Sequence, residues 1–457
     1  GLGRKLPHYG KYSYLGFEGE APDNFAKGQW PIINSPLSAQ LTEKPVIAVL
    51  PKREPLIELS PIFSQERMIK RIKILADERM QGRGLGTKEL DKAADYISSE
   101  FKKIGLQTLE EPDNFYQQWS QEIEGVGKNV RLKNVIGVLP GSNPKYAGES
   151  VVVSAHYDHL GLGQINARKE NINKIHYGAN DNASGVSVMI ELAQLMAKKG
   201  RPERSVIFIA FTGEEANRIG SKYYVKNAGK FPVSKIMGVV NLDTVGRLGN
   251  NPLTIFSTHS ASEWVHIFRG AGFVTGVNVK SVSKNIGASD DESFIDVNVP
   301  AVQFFSGVNE DFHEPGDTLN KIDGPGLLKV AAVLKETIDY LSVREEPLTN
   351  QLTSISSVEE LKSKSGAQSG RRVSLGTVPD FAYQEVGVKV TDVVKDSAAE
   401  RAGIVKNDVI TRINATEIND LREFSQYLRK LKAGDKIKIT LKRGESLIEL
   451  EAIVTAR

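Results

Sequence analysis

The stretch that decides the fold is Val151-Val152-Val153-Ser154-Ala155-His156-Tyr157-Asp158, a short β-branched run that ends in polar residues. Two later segments repeat this pattern: the apolar run 205–211 precedes Glu214-Glu215, and the run 237–242 precedes Asp243. Short apolar runs separated by helical patterns predict parallel strands. Because an open parallel sheet binds ligands at the carboxyl ends of its strands, we expect these polar residues to share one edge of the sheet.

Strand and helix patterns alternate along the middle of the chain. A helical face over 90–104 ends at Gly105, and the later elements are predicted as strand 134–139, strand 151–155, helix 184–199, strand 205–211, helix 216–228, strand 236–242, strand 253–256, helix 261–271, strand 301–305 and helix 327–341. This alternation predicts an α/β domain, a mostly parallel mixed sheet with helices on both faces.

Composition divides the chain into four regions. Residues 1–62 are rich in Pro, Gly and aromatic residues and are interpreted as an N-terminal extension, with a candidate strand at 45–50. The α/β domain occupies 63–345. Residues 346–371 have the polar composition of a linker, with a candidate short helix at 357–364. In 372–457, short β-runs surround one helix at 420–431, which predicts a small separate α+β domain.

The overall composition excludes several classes of protein. With 457 residues the chain can hold two or three domains, and its net charge of +3 gives no indication of a nucleic-acid partner. It has no cysteine, which excludes disulfides, thiolate metal ligands and a cysteine nucleophile. No apolar stretch approaches the ~20 residues of a membrane span. The chain starts at Gly1 without a signal pattern. We interpret it as processed or trimmed, and predict a periplasmic or extracellular location.

The polar motifs contain the residues that a two-metal hydrolase requires. Hydrolysing a peptide at neutral pH needs an activated water and stabilisation of negative charge, and two metal ions about 3.5–4 Å apart can supply both. Imidazole and carboxylate ligands without thiolates suit zinc, with cobalt or manganese as alternatives. Glu214 remains as a free carboxylate that can act as a base. The candidate ligands, in chain order, are His156, Asp181, Glu215, Asp243 and His313.

Two neighbouring residues are expected to support these ligands. Asp158 lies two residues after His156 and can accept the other imidazole N–H, which would fix the orientation of the ring. In extended backbone, adjacent side chains point to opposite sides, so Glu215 can reach a metal while Glu214 faces the attacking water. Each motif alone has a simpler interpretation, such as a helix cap or a surface loop. Their occurrence together and in order favours a metal site.

The sequence resembles a known family, the co-catalytic zinc aminopeptidases of the bacterial leucyl aminopeptidase and Streptomyces aminopeptidase type. The resemblance covers about residues 63–345. The segments that carry it are Ala155-His156-Tyr157-Asp158-His159-Leu160-Gly161, Gly178-Ala179-Asn180-Asp181-Asn182-Ala183-Ser184-Gly185, Phe211-Thr212-Gly213-Glu214-Glu215, Asn241-Leu242-Asp243 and His313-Glu314-Pro315-Gly316-Asp317-Thr318. Gly82-Arg83-Gly84 and Ser289-Asp290-Asp291-Glu292-Ser293-Phe294 resemble two further elements of the family.

The resemblance implies a zinc aminopeptidase fold of the phosphorylase/hydrolase type and a role for each motif. His156 and Asp243 would hold one of two zinc ions, and Glu215 and His313 the other. Asp181 would bridge the two ions, and Glu214 would act as the general base. The peptide between Asp181 and Asn182 would be cis. Peptides with a free amino terminus would be the substrates.

The sequence departs from the family pattern at two places. Many relatives carry a Tyr just before the last histidine, and Phe312 stands there instead, so a side-chain donor to the oxyanion is in doubt. The stretch from Gly163 to Tyr177 is interpreted as an inserted loop at the entrance of the site.

The C-terminal region resembles a bacterial PDZ domain of the HtrA-protease type. The segments that carry this resemblance are Ser374-Leu375-Gly376-Thr377, Gly387-Val388-Lys389-Val390, Asp396-Ser397-Ala398-Ala399-Glu400-Arg401-Ala402-Gly403 and Asn407-Asp408-Val409-Ile410. Such domains bind a peptide C-terminus by β-augmentation, so Ser374, Leu375 and Gly376 would hold the carboxylate on backbone N–H groups. An empty or blocked groove is the alternative.

Three other functions remain open on the same scaffold. A carboxypeptidase needs a basic residue for the substrate carboxylate, and Arg168 and Lys169 are the local candidates. A glutaminyl cyclase is the second alternative. A catalytically inactive peptide-binding scaffold is the third, and the presence of every ligand and of Glu214 argues against it.

Overall fold

The structure is a computed structural model. It describes residues 11–14, 17–20 and 62–456, except 111, 113, 164–165, 284–288, 353–372, 381–382 and 384. The candidate strand at 45–50 and the candidate helix at 357–364 therefore lie outside the described residues.

The N-terminal unit, Gly1–Ser60, contains one described antiparallel pair. Its strands are β1 (Lys11–Tyr14) and β2 (Phe17–Glu20), with Tyr14 opposite Phe17.

The α/β region is built on one eight-stranded mixed sheet, in the order β3-β4-β6-β5-β7-β10-β8-β9. Its strands are β3 (Tyr116–Ile123), β4 (Gly127–Leu139), β5 (Ser150–His156), β6 (Ser205–Phe211), β7 (Ile236–Leu242), β8 (Leu253–Phe256), β9 (Val279–Ser281) and β10 (Ala301–Phe305). The central run β6-β5-β7-β10 is parallel. The carboxyl ends of these strands therefore meet at one edge.

Helices cover both faces of this sheet. They are α1 (Gln65–Leu75), α2 (Lys88–Ile104), α3 (Gly185–Lys199), α4 (Ile219–Lys226), α5 (Trp264–Thr275), α6 (Asp291–Ile295) and α7 (Gly324–Val343). Alternate residues of β5 enter two apolar clusters: Val151 and Val153 pack in the larger one with Leu334 of α7, and Val152 in the smaller one with Tyr224 of α4. Burial on both faces explains why the sequences of these strands are continuous apolar runs.

The predicted α/β fold is confirmed, and most predicted elements coincide with observed ones. The strands predicted at 253–256 and 301–305 have the observed limits. Helix α2 buries the predicted face and ends at Gly105, whose φ of 84° suits glycine. The prediction was incomplete at the sheet edge, where β3 and the first half of β4 form a hairpin. Its exposed polar residues hide the strand pattern.

The C-terminal region is a small antiparallel domain. Its strands are β11 (Val373–Ser374), β12 (Thr377–Pro379), β13 (Val388–Val393), β14 (Val409–Ile413), β15 (Thr416–Glu417), β16 (Lys436–Arg443), β17 (Ser446–Ile453) and β18 (Thr455–Ala456). The main sheet runs β12-β13-β14-β16-β17, so β12 is an edge strand. Helices α8 (Ala398–Ala402) and α9 (Leu421–Arg429) accompany it.

Among the described residues, no helix combines the length and the apolarity needed to cross a bilayer.

Candidate metal centre and active site

The predicted ligands lie together at the carboxyl edge of the parallel strands. His156 is the last residue of β5, and Asp243 directly follows β7. Glu214 and Glu215 lie in the turn after β6, and His313 lies in the loop between β10 and α7. The sheet topology thus produces the shared edge that the sequence predicts.

Asp181 faces two groups of ligand atoms at once. One of its carboxylate oxygens, Oδ1, is 3.2 Å from His156 Nε2, and that nitrogen is 3.4 Å from Asp243 Oδ1. The other oxygen, Oδ2, is 3.4 Å from His313 Nε2, which is 3.1 Å from Glu215 Oε2. Asp181 therefore has the placement of a bridging ligand. The peptide between Asp181 and Asn182 is cis, as the resemblance implies.

A third histidine, which the sequence analysis did not assign, also faces this group. His159 Nδ1 is 2.9 Å from Glu215 Oε1 and 3.8 Å from Asp181 Oδ2. The ligand atoms of His159, Asp181 and Glu215 lie within 4.8 Å of one another, as do those of His156, Asp181 and Asp243. The signal was present in the sequence, because His159 stands three residues after His156 in the same motif.

This donor set fits divalent metal ions. Imidazole nitrogens and carboxylate oxygens converge at 3.1–3.4 Å, a spacing at which a cation between them would neutralise their clustered charge. His159 Nε2 and His313 Nδ1 are buried and have no hydrogen-bond partner among the described residues. Histidine and carboxylate ligands are those that zinc prefers in the absence of thiolates.

Asp158 makes different contacts from those expected. Its carboxylate oxygens accept the backbone N–H groups of Glu214 (3.2 Å) and Glu215 (3.4 Å). His156 Nδ1 lies 3.2 Å from the carbonyl oxygen of Asp158 and 3.8 Å from its carboxylate. The turn after β6 exposes two N–H groups that need acceptors, so the Asp158 carboxylate orients the Glu214-Glu215 turn while its carbonyl orients the imidazole.

Burial raises the pKa of several carboxyl groups at the site. Burial is the main reason that the pKa of Glu214 lies well above its usual value, and the negative charges of Glu215 and Asp243 add to the effect against the opposing charge of His156. Burial likewise raises the pKa of Asp158 to about 7 and that of Asp290 to about 6. The surroundings therefore favour the protonated form of Glu214, as they do for Asp158 and Asp290.

Charge pairing shifts the pKa of Asp181 and that of His313 toward their ionised forms. Burial opposes ionisation of Asp181, but the charge of His159 and the hydrogen bond from His156 hold its pKa well below the usual range. Against burial, the charge of Glu215 and the hydrogen bond that His313 donates to Asp181 raise the pKa of His313 to about 9. Carboxylate and imidazole therefore stabilise each other's charged forms here.

A buried carboxylate holds the backbone of the bridging residue. Asp317 accepts hydrogen bonds from the N–H of Asn180 (3.0 Å to each oxygen) and from the N–H of Asp181 (2.9 Å). Asp317 lies in the same loop as His313, so the two loops that supply Asp181 and His313 are tied together. The sequence analysis quoted Asp317 within a motif without assigning it a role.

A buried guanidinium holds the segment that precedes Asp181. Arg83 donates hydrogen bonds to the carbonyl oxygens of Leu75, Tyr157, Tyr177 and Gly178 at 2.5–2.9 Å. Burial lowers its pKa to about 10, and the charges of Asp181 and Asp317 oppose this shift. Gly178 has a φ of 57°, and a Cβ there would lie 2.7 Å from Arg83 Nη2, which explains the glycine.

The two departures from the family pattern are both placed at the site. The Phe312 ring stacks on the His313 ring, with 4.0 Å between centroids, and carries no hydroxyl. In the inserted loop, Asn166 donates to the carbonyl oxygen of Glu215 (2.6 Å), and Arg168 Nε contacts Glu314 Oε1 (2.8 Å). The side chain of Lys169 lies outside the described residues.

Comparison with known proteins identifies both regions. Residues 134–338 match the profile of peptidase family M28, and residues 355–454 match the PDZ domain profile. The chain carries a family M28 peptidase domain and a PDZ domain. The recognition made from the five motifs and from the C-terminal segments is thereby confirmed.

Two relatives show how far the M28 domain's similarity extends. Aminopeptidase YwaD of Bacillus subtilis is 26% identical over 227 residues, which cover 48% of this chain and 46% of that protein. A protein of Pyricularia oryzae named "Probable zinc metalloprotease" is 25% identical over 356 residues, which cover 69% of this chain and 67% of that protein. The chain thus spans less than half of the bacterial relative's length.

Solved structures with the same fold include enzymes of two different activities. Porphyromonas gingivalis glutaminyl cyclase is 18% identical with a TM-score of 0.51, covering 61% of this chain and 99% of that chain. A leucine aminopeptidase precursor from Bacteroides thetaiotaomicron is 18% identical with a TM-score of 0.50, covering 60% and 97%. These likenesses establish the fold and do not separate the two activities.

Proposed function

We propose that this chain is a zinc-dependent aminopeptidase that removes N-terminal residues from peptides. The observation that carries the proposal is the position of Asp181 between two groups of ligand atoms. We assign His156 and Asp243 to one zinc ion, Glu215 and His313 to the other, and Asp181 to both. His159 would then hold the second oxygen of Glu215, which its Nδ1 already contacts at 2.9 Å.

Glu214 is proposed as the general base. Two zinc ions, when bound, supply activation of a water and stabilisation of the negative charge that develops on the carbonyl oxygen. Glu214 would accept the proton of the attacking water and return it to the leaving amine, a role that its raised pKa supports. Asp158 keeps the turn of Glu214 and Glu215 in place through their backbone N–H groups.

The contacts of Arg168 favour an aminopeptidase over a carboxypeptidase. Its Nε contacts the carboxylate of Glu314, the residue after His313, so its charge is already compensated. A carboxypeptidase would need that charge for the carboxylate of the substrate. A glutaminyl cyclase remains the second candidate, because the structure of Porphyromonas gingivalis glutaminyl cyclase shares the fold.

The PDZ domain is proposed to bind peptide C-termini. Strand β12 lies at the edge of its sheet, directly after Ser374, Leu375 and Gly376. Gly376 has a φ of 81°, and a Cβ there would lie 2.2 Å from Ser397 Cβ, so a side chain is excluded from this turn. A peptide strand would add to β12 and place its carboxylate at this turn.

The division into four regions at 62/63, 345/346 and 371/372 also remains our proposal. The PDZ profile begins at residue 355, within the segment predicted as a linker. A periplasmic or extracellular location is likewise kept as a prediction.

Metal analysis combined with a set of substrates tests the function. We expect two zinc ions per chain by elemental analysis, and release of the chromophore from an aminoacyl anilide that a chelator abolishes. N-terminal glutaminyl peptides and peptides with a blocked amino terminus serve as the comparison. Cyclisation of the former without anilide hydrolysis would assign the glutaminyl cyclase activity instead. Release of C-terminal residues from the latter would assign a carboxypeptidase.

A further inference from the structure

One face of the central sheet changes from apolar to polar just before the metal ligands. Alternate residues of a strand share a face, and on this face β5, β7 and β10 each carry an apolar residue and then a polar one. The apolar neighbours pack in the smaller apolar cluster, and the buried polar neighbours that follow are Ser154, Asn241 and Gln303. The next residues on this face are His156 on β5 and Asp243 after β7. A buried polar row therefore lies directly beneath the ligands.

Gln303 is the member of this row that contacts a ligand. It is buried, and every other residue of β10 is apolar. Its Nε2 donates a hydrogen bond to Oδ2 of Asp243 at 3.4 Å, whereas its Oε1 is buried without a hydrogen-bond partner among the described residues. A buried amide oxygen without a partner is unfavourable, so the contact with Asp243 accounts for a polar side chain at this position.

The same contact distinguishes the two oxygens of the Asp243 carboxylate. Oδ1 lies 3.4 Å from Nε2 of His156, within the first group of ligand atoms. Oδ2 is the oxygen that accepts from Gln303. The amide of Gln303 therefore sets which oxygen of Asp243 faces the ligand group.

A second amide holds the backbone on both sides of Asp243. The side chain of Asn182 is fully buried, and its Nδ2 donates to the carbonyl oxygen of Leu242 at 2.8 Å. Its Oδ1 accepts from the N–H of Thr244 at 3.3 Å. Because Asn182 directly follows Asp181 in the chain, these two hydrogen bonds fasten the turn of the bridging residue to the segment that carries Asp243.

We propose that Gln303 and Asn182 are positioning residues that hold Asp243 in place for one metal ion. This ion occupies the first metal position, which His156, Asp181 and Asp243 form. The inference rests on the metal assignment of the proposed function. Gln303 fixes the carboxylate and Asn182 fixes the backbone, so Asp243 is oriented before the ion arrives and the ion binds more tightly.

The effect is confined to the first metal position. Among the described residues, neither Gln303 nor Asn182 has a hydrogen bond to Glu215 or His313, the ligands assigned to the second position alone. Those two ligands lie in the turn after β6 and in the loop between β10 and α7. Loss of either amide should therefore weaken one of the two zinc positions and leave the other.

Gln303→Met tests the proposal, because it keeps the length of the side chain and removes the donor. Equilibrium dialysis of the metal-free full chain against buffered zinc should show one zinc affinity reduced about 10–100-fold and the other unchanged. The Tm of the metal-free chain should not fall, because the variant also removes a buried oxygen that has no partner. Two unchanged zinc affinities would overturn the inference, and so would a fall in Tm without a change in zinc affinity.

Two ligand variants show which metal position is affected. His156→Ala is expected to empty the first position and His313→Ala the second. Adding Gln303→Met should leave the remaining zinc affinity of His156→Ala unchanged and should lower that of His313→Ala. The reverse pattern would contradict the assignment of Gln303 to Asp243.

Asn182→Ala provides a second variant, with Asn241→Ala as the matched control. Asn182→Ala should weaken the first position as Gln303→Met does. Asn241 lies beside Gln303 in the polar row and is equally buried, but its amide bonds the hydroxyls of Ser154 and Ser289. Asn241→Ala should therefore keep both zinc affinities. An equal loss in the control would mean that packing of the row, and not the contacts with Asp243, is responsible.

Zinc affinity does not depend on turnover, so the inference and the proposed function can fail separately. Weaker zinc binding in Gln303→Met and Asn182→Ala, without hydrolysis of an anilide by the unmodified chain, would support the inference and reject the aminopeptidase activity. Hydrolysis by the unmodified chain, with both zinc affinities unchanged in the two variants, would reject the inference alone. An unmodified chain that binds no zinc would reject both.

Discussion

The M28 domain and the PDZ domain differ most in whether their buried carboxyl groups have hydrogen-bonding and ion-pair partners. At the edge of the M28 sheet, buried carboxyl groups gather, and Asp290 has no hydrogen-bond donor to either oxygen among the described residues. In the described part of the PDZ domain, Asp408 is the buried charged residue. Its carboxylate is fully engaged by Arg443 at 2.7 and 2.8 Å and by the N–H of Val405 at 2.9 Å.

This difference follows from what each domain is proposed to do. Clustered acids that lack enough partners are costly, so their presence indicates a site that cations complete. A domain that binds a peptide through its sheet edge needs unpaired backbone groups and a packed apolar core.

The largest effect is expected at the bridging residue. Asp181→Ala removes the carboxylate that faces both ligand groups, so at most one zinc ion should remain and hydrolysis should be lost. Elemental analysis and anilide turnover measure this. The control is Asp339→Asn, which removes an exposed carboxylate that contacts Lys335. Full zinc content and activity in Asp181→Ala would show that the acid cluster is not a two-metal site.

The next largest effect concerns the adjacent glutamates. Glu214→Gln keeps the size of the side chain and removes the base, so kcat should fall by about 10²–10⁴. Zinc content should be retained, whereas Glu215→Gln should lose a metal ion. The reverse result, with metal lost from the Glu214 variant alone, would exchange the two roles.

A smaller effect is expected at a residue that touches no proposed metal ligand atom. Asp317→Asn weakens the acceptor of the Asn180 and Asp181 N–H groups, and we expect metal affinity or turnover to fall by about 10–100-fold. A competing chelator titration gives the affinity. Asp311→Asn in the same loop is the matched control, since Asp311 pairs with Arg247 and Lys321 instead. Equal losses in both variants would mean that loop stability, not the position of Asp181, is responsible.

In the PDZ domain, loss of the buried charge should affect stability alone. Asp408→Asn breaks the pair with Arg443, which is partly exposed, and should lower the free energy of unfolding of this domain by about 2 kcal/mol. Turnover of a small anilide should stay unchanged. Denaturation and kinetics on the same sample check both outcomes. A loss of small-substrate activity would show that this domain supports the active site.

The smallest effect is expected from amidating the C-terminus of a peptide substrate. A peptide with a free apolar C-terminus should have a KM a few-fold lower than its amidated form, because binding at a second site raises local concentration without altering the chemistry. The intact chain is used for both peptides, and the anilide serves as the control. Identical kinetics for the two peptides would reject recruitment by the PDZ domain.

Sequence reasoning succeeded where function depends on order along the chain. The apolar runs predicted the parallel strands, and parallel strands bring His156, Glu215 and Asp243 to one edge whatever the details of packing. Reasoning failed where function depends on backbone contacts between distant loops. The hydrogen bond that the N–H of Asp181 donates to Asp317 joins residues 136 positions apart, so no local sequence pattern predicts it.

The same limit explains the difference at Asp158 and the omission of His159. Sequence spacing shows that the Asp158 carboxylate can reach the imidazole of His156. It does not show that this carboxylate accepts hydrogen bonds from the N–H groups of Glu214 and Glu215 instead. His159 was within a recognised motif, yet its direction toward Glu215 depends on how the chain turns after β5. The hairpin of β3 and β4 was missed because its exposed polar residues obscure the strand pattern.

Pro379, the last residue of β12, has a consequence for what can join the open edge of the PDZ sheet. Proline has no N–H, so the ladder loses a donor after Thr377 and Val378. A guest strand would therefore be held over a short length, and its recognition would be concentrated in its last few residues. The same missing donor makes β12 a poor template for other extended chains, which protects the protein against edge-to-edge aggregation.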